Sequence, residues 1–277
     1  MLKAISVWAL KDNEKRPAGS LFAEAKKHGF QGLELAVGAA GFLTPQTTES
    51  ECAQIRKAAK QEGVAISSLA SGLGWQYPLS SDDARVRSKG IEVQKAVLRI
   101  GGWLGVDCLL LVPGMVSGFD AKGPDHVPYD VAIENMRASI IELIPVAEKA
   151  RVKIGVENVW NKVLFSPLEM RDFIDSFRSP WVVSYLDVGN MIVTGYAEDW
   201  VRILGKRISC VHFKDFKREV GTLAGFCDLL EGDVNYPAVM KGLRAVGYNG
   251  PCVAEFFGID SAGLRKVSEA MDRIFAV

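Results

Sequence analysis

The sequence predicts a single-domain α/β fold, the closed (β/α)8 or TIM barrel, spanning residues 1–277. Three observations lead there. Short β-rich runs alternate with longer helical patterns eight times along the chain. Eight units in 277 residues is roughly 35 residues each, the period of this fold. No break in composition, charge run or low-complexity linker divides the chain. The competing architecture, an open doubly wound sheet, needs a glycine fingerprint after its first strand, and residues 10–16 contain no glycine.

Residues 4–9 read as the first strand and 20–28 as the helix after it, with Gly29 closing that helix. Residues 32–37 form the second strand, and 48–62 are helical up to Gly63. Residues 64–69 are the third strand. Ser81-Asp82-Asp83 starts a helix that runs to Leu104 and stops at Gly105. Residues 107–112 are the fourth strand, ended by Pro113-Gly114. Residues 129–150 form a long amphipathic helix that Pro145 is expected to kink. Residues 152–157 are the fifth strand. Ser166-Pro167-Leu168-Glu169 combines an N-cap serine, a proline at the first helical position and an acid at capping-box distance, so a helix starts there and ends near Phe177. Residues 181–187 and 208–213 are the sixth and seventh strands, with a short helix over 198–204 between them. A helix over 236–246, closed by Gly247, precedes the eighth strand at 252–256, and residues 261–275 form the last helix.

Composition narrows the function. Lys+Arg and Asp+Glu both number 33, so the formal net charge is zero. No basic field is available for a phosphate backbone, which argues against nucleic-acid binding. The five cysteines are odd in number and show no CxxC spacing, as expected of free thiols in a reducing compartment. No apolar run approaches a membrane span and the N-terminus lacks a signal-peptide pattern, so a cytoplasmic protein is expected. A homo-oligomer is compatible with the sequence. Three histidines, His28, His126 and His212, are too few for a His-rich multinuclear metal centre. His28 suits the dipole of a helix C-terminus, and His126, in the polar 122–128 loop, reads as solvated.

In this fold chemistry sits where strands end at the carboxyl face. Strand five ends Gly155-Val156-Glu157-Asn158 and strand six Ser184-Tyr185-Leu186-Asp187. Strand seven ends Cys210-Val211-His212-Phe213-Lys214-Asp215 and strand eight Val253-Ala254-Glu255. A lone Glu or His at such a place is commonly a rim or core residue; four successive strands ending alike are not so explained. Neighbouring strands lie about 4.8 Å apart, so these four side chains can converge. Three carboxylates so placed repel unless a cation or protons intervene. Three oxygen ligands and one imidazole suit one divalent ion such as Mn2+, Mg2+ or Co2+, with Zn2+ also compatible.

Other residues are candidates for substrate contact. Glu34 ends strand two, where it reaches a substrate hydroxyl or braces the metal ligands. Lys214, Lys217 and Arg218 follow strand seven and are placed to hold a phosphate or carboxylate, and Lys162 follows strand five. Trp8, Trp75, Tyr77 and Trp160 fall near strand ends and suit a pocket wall, because apolar sugar faces stack on aromatic rings.

Gly155-Val156-Glu157-Asn158, Leu186-Asp187-Val188-Gly189-Asn190 and Val211-His212-Phe213-Lys214-Asp215 resemble the sugar phosphate isomerase/epimerase family, of the xylose isomerase-like TIM-barrel superfamily. Residues 230–236 look like its Gly-rich loop, and Gly247-Tyr248-Asn249-Gly250-Pro251 followed by Glu255 matches its approach to strand eight. The resemblance covers essentially the whole chain. It implies a metal, usually manganese, held by Glu157, Asp187, His212 and Glu255, with the two glutamates as the acid/base pair. It further implies that Arg218, six residues after the metal histidine, touches the substrate. Several free-sugar epimerases of the family carry a second histidine three residues after the metal Asp. Asn190 stands there instead, which points towards sugar phosphates and makes Asn190 a candidate substrate contact.

The expected enzyme is therefore a carbohydrate-metabolism isomerase or epimerase working on a ketose or ketose phosphate through an enediolate. A metal stabilises that charge while carboxylates on one or both faces move the proton. An inosose-type dehydratase on the same centre is the alternative. An apurinic endonuclease, with its trinuclear zinc and basic face, and a non-catalytic sugar-binding barrel fit the residues less well.

Overall fold

The computed structural model describes residues 1–118 and 126–277. Eight parallel strands close on themselves: β1 (Leu2–Ser6), β2 (Gly32–Val37), β3 (Ala65–Ser71), β4 (Cys108–Leu111), β5 (Lys153–Glu157), β6 (Val182–Asp187), β7 (Ile208–Phe213) and, last in the chain, β10 (Pro251–Ala254). The barrel order is β1-β10-β7-β6-β5-β4-β3-β2. Between β7 and β10 a two-stranded antiparallel ribbon, β8 (Asp215–Phe216) and β9 (Phe226–Cys227), rises from the carboxyl end. The helices are α1 (Ala18–Lys27), α2 (Glu49–Glu62), α3 (Leu73–Gln76), α4 (Ala84–Leu104), α5 (Tyr129–Ala150), α6 (Pro167–Asp175), α7 (Ala197–Leu204), α8 (Tyr236–Ala245) and α9 (Ser261–Ala276). The predicted fold class stands as the observed one.

Strand periodicity separates two cores. On β4, Leu109 and Leu111 pack outward with the helices, whereas Cys108 and Leu110 pack into a smaller cluster inside the barrel with Ala70, Val183, Tyr185 and Cys210. Gly155 permits that inner packing: a Cβ there would meet Cys108 Sγ at 2.8 Å and Tyr185 Cβ at 3.1 Å. Helix ends follow their local chemistry. Thr48 and Glu51 form a reciprocal capping box on α2, the kind of cap whose loss costs about 1 kcal/mol. Ser166 caps α6 through the Glu169 N–H, but Glu169 turns its own carboxylate to the Phe165 N–H instead of closing a box.

Several predicted boundaries shift. The first strand ends at Ser6, because a 3-10 turn over Val7–Ala9 takes over. The last strand ends at Ala254, leaving Glu255 just beyond it. Helix α6 stops at Asp175, two residues before the expected Phe177. Pro145 lies inside α5, which continues through it to Ala150. All five cysteines are free, and four of them are buried. No described helix is long and apolar enough to cross a membrane.

Candidate metal centre and active site

Strand register brings the four predicted ligands together. Asp187 pairs with His212 across β6 and β7, and Glu157 pairs with Tyr185, two residues before Asp187. Val253 pairs with His212, so Glu255 stands two residues higher on the last strand's path. One ligand atom from each of Glu157, Asp187, His212 and Glu255 lies within 4.8 Å of every other, and all four residues are buried. His212 Nδ1 is 2.9 Å from Glu255 Oε2, 3.8 Å from Glu157 Oε1 and 3.9 Å from Asp187 Oδ2.

Three of these atoms, Asp187 Oδ2, His212 Nδ1 and Glu255 Oε2, are buried without a properly directed hydrogen bond. Buried polar atoms are ordinarily satisfied, so three facing one another, with the Lys214 ammonium beside two of them, form a donor set suited to an electrophile. Hard oxygens plus one imidazole fit a divalent cation of the Mn2+, Mg2+, Co2+ or Zn2+ type. The other atoms of these groups are anchored. Asp187 Oδ1 accepts the N–H groups of Gly189 and Asn190, each at 2.8 Å. The Asn158 amide spans the β5 and β6 ends, donating to Asp187 O at 2.8 Å and accepting the Asp187 N–H at 2.9 Å.

His212 is braced from behind. Its Nε2 lies 3.0 and 3.3 Å from the two Glu34 oxygens, leaving Nδ1 to face the cluster. Glu34 also receives the hydroxyls of Tyr185 and Ser68, and is fully buried. The structure thus places Glu34 behind the imidazole and not on the cavity wall. Parity along β6 was the available signal for its partner Tyr185, which shares a face with Asp187.

The charges shape proton affinities. Burial pushes the Glu157 carboxyl up to about 7, against the pull of His212. Burial acts the same way on Glu255, but Lys214 and His212 outweigh it and hold that carboxyl well below the ordinary range. The imidazole is held above its ordinary value, because Glu34 and Glu255 outweigh its burial. Lys214 likewise stays protonated, its burial outweighed by Asp187 and Glu255. Its Nζ lies 3.1 Å from Asp187 Oδ2 and 2.6 Å from Glu255 Oε2, so it reaches the ligands themselves.

A cavity of about 1130 Å3 opens above the cluster. Trp8, Trp75, Trp160, Asn190 and Lys214 line it, together with Glu157 and Glu255. Asn190 also braces the site, donating to Asn158 O at 2.9 Å while its own carbonyl accepts the Trp160 indole N–H at 2.8 Å. Lys217 and Arg218 are not brought to this cavity. They border a separate depression with Glu219, Glu231 and Asp233. Arg218 donates to Ile192 O at 3.0 Å and lies 4.8 Å over the Tyr196 ring. Tyr77 is half-buried off the cavity wall, and Lys162 donates to Ser117 at 2.6 Å. His28 is the C-cap residue of α1, through its backbone N–H, and its ring Nε2 lies 3.1 Å from Ser261 Oγ. His126 is exposed, while residues 122–125 of its expected loop lie outside the described residues.

Sequence reasoning missed three features. They are the Asn158 clamp, the ribbon that carries Phe226 and Cys227 onto the cavity wall, and the stacking of Phe257 on Trp8 with centroids 6.0 Å apart.

Fold and site together define a (β/α)8 barrel with a carboxylate–imidazole centre in its carboxyl-end mouth. The family model described as xylose isomerase-like TIM barrel matches residues 22–276, and the chain belongs to that family. Among curated relatives, the L-ribulose-5-phosphate 3-epimerase UlaE of Salmonella paratyphi A is 24% identical over 252 residues, covering 87% of this chain and 84% of the relative. The putative L-ribulose-5-phosphate 3-epimerase SgbU of Escherichia coli K12 is 25% identical over 201 residues, covering 71% and 68%. The D-psicose 3-epimerase of Clostridium cellulolyticum H10, solved with D-tagatose, superposes with a TM-score of 0.83 at 18% identity, covering 100% of this chain and 99% of that one.

Proposed function

We propose that the chain is a divalent-metal-dependent epimerase or isomerase of a ketose or ketose phosphate, acting through an enediolate. The observation that carries this reading is the buried convergence of Glu157, Asp187, His212 and Glu255, with Asp187 Oδ2, His212 Nδ1 and Glu255 Oε2 turned inward without a well-directed hydrogen bond and the two carboxylate oxygens paired only with the Lys214 ammonium. The epimerase relatives support it, as does a net charge of zero, which suits a small substrate over nucleic acid.

Those four side chains would hold the ion, which supplies positive charge opposite the oxygens of the deprotonating sugar. The protein's own groups move the proton. Glu157 ends β5 and Glu255 follows β10, with β6 and β7 between them in the barrel order. They therefore approach a bound sugar from different sides, as removal and return of a proton on opposite faces require.

The test is exchange of the substrate's carbon-bound hydrogen in D2O with Mn2+-loaded protein. Glu157→Gln and Glu255→Gln should each abolish exchange, and Glu255→Ala should lose stoichiometric Mn2+. Exchange surviving in the double Gln variant would sink this mechanism.

A further inference from the structure

The cavity is larger and differently charged than a phosphorylated monosaccharide needs. At about 1130 Å3 it lies just above the range that encloses drug-sized ligands, and a single sugar ring leaves most of it empty. Among the described residues, its charged lining is Glu157, Asp215, Asp228, Glu231 and Glu255 against Lys214 alone. Lys214 is already held by Asp187 and Glu255. Asp228 and Glu231 share one cation between them, Lys266, which lies 2.6 Å from each. An ion at the metal centre would balance the inner carboxylates, but the outer wall keeps its negative excess. Lys217 and Arg218, the cations nearest in sequence, face the separate depression beyond that wall. A phosphate dianion would enter against like charge, with no unengaged cation among the described lining residues to receive it.

The same cavity offers a neutral ring a surface. Phe257 is 70% exposed, stacked on Trp8 at an interplanar angle of 25°, and both line the cavity. Phe257 lies two residues past Glu255, so its Cα is within about 7 Å of that ligand's Cα. A platform at that distance meets whatever substituent the reacting sugar carries. Exposed aromatic area of this kind stacks well on the apolar face of a pyranose.

From these observations we infer that the substrate is a neutral glycosylated sugar, the keto unit seated at the Glu157–Glu255 cluster and a second sugar ring stacked on Trp8 and Phe257. The inference rests on the proposed epimerase or isomerase activity and specifies its substrate class.

Fructose, fructose 6-phosphate and isomaltulose, which is 6-O-glucosyl-fructose, share one carbonyl and one C3–H and differ only in what hangs on C6. C3 exchange in D2O would be measured for all three with Mn2+-loaded protein, and for the matching tagatose series. The expected order of kcat/KM is glucosylated, then unsubstituted, then phosphorylated. Phe257→Ala should lower the ratio of glucosylated to unsubstituted kcat/KM by roughly fivefold or more. Phe257 is exposed, so this variant folds. A phosphorylated sugar that outruns the glucosylated one, or an unchanged ratio in Phe257→Ala, overturns the substrate class and leaves the epimerase reading standing. Absence of exchange with every sugar, in protein shown to hold its metal, overturns both.

Discussion

Glu34 never meets solvent, yet it decides which nitrogen of His212 faces the cluster. A metal-binding imidazole is oriented by the group on its other nitrogen, and losing that group lowers metal affinity by about 10–100-fold. Glu34→Gln keeps the shape but weakens the contact. It should lower Mn2+ affinity to that extent in a chelator competition while leaving the circular dichroism spectrum intact. Lys214 has the opposite effect on the ion. Its ammonium contacts two of the four ligands, so it competes with any cation there. Lys214→Met should raise Mn2+ affinity by about tenfold. It should also destabilise the chelated protein by about 3 kcal/mol in urea denaturation, because the buried carboxylates lose their partner. At this scale the sequence was legible only in part. Glu157, Asp187, His212 and Glu255 stand out because each follows an apolar strand. Glu34 follows one as well, and nothing local separates a brace from a substrate contact. That distinction depends on Tyr185 and Ser68 closing over it from two other strands.

The segment between β7 and α8 shapes the outer wall of the cavity. Asp215 folds it: its Oδ1 accepts the Phe216 and Val234 N–H groups at 2.9 and 3.1 Å, and its Oδ2 accepts that of Leu230 at 2.8 Å. Burial raises the Asp215 carboxyl, and these N–H groups hold it partly back. Gly232 crosses so close that a Cβ would fall 2.2 Å from Asp215 Oδ1 and 2.6 Å from Phe216 N. Gly232→Ala should therefore cost about 1–3 kcal/mol of stability in urea, the usual penalty for overfilling a packed site. It should raise KM more than it lowers kcat, because the wall residues Phe226, Asp228 and Glu231 ride on this segment and touch no reacting atom. A variant as stable as the parent would show that the carboxylate does not organise the loop. The ribbon was invisible in the sequence for a physical reason. Its strands are two residues long, too short for any period to register. The barrel strands and their helices carry four to twenty-two residues of pattern with caps, and so could be read.

Across the whole molecule, the eightfold alternation was legible because each strand–helix unit repeats one local pattern, and closure then follows from packing eight such units side by side. The sign of the cavity was not legible, since Asp228, Glu231 and Phe257 reach it from loops and only folding brings them together. The same centralisation would make an ion bound at the Glu157–Asp187–His212–Glu255 cluster a stability element. Strands β5, β6, β7 and β10 each carry one of these residues at, or within one residue of, their carboxyl ends, so an ion there would tie four adjacent strands that otherwise present buried, mutually repelling carboxylates. A ligand that binds only the folded state stabilises it by about 2.7 kcal/mol at a hundredfold excess over Kd. For a chain of this size that amounts to a rise of about 5 °C in Tm. Scanning calorimetry of chelated protein, with and without added Mn2+, should show that rise, and Glu255→Ala should lose it while Arg218→Ala keeps it. The contrast follows from placement: Glu255 supplies one of the inward atoms, whereas Arg218 lies on the separate depression over Tyr196. An unshifted Tm with Mn2+, Mg2+, Co2+ and Zn2+ alike would mean that the four side chains hold protons and Lys214 instead of an ion.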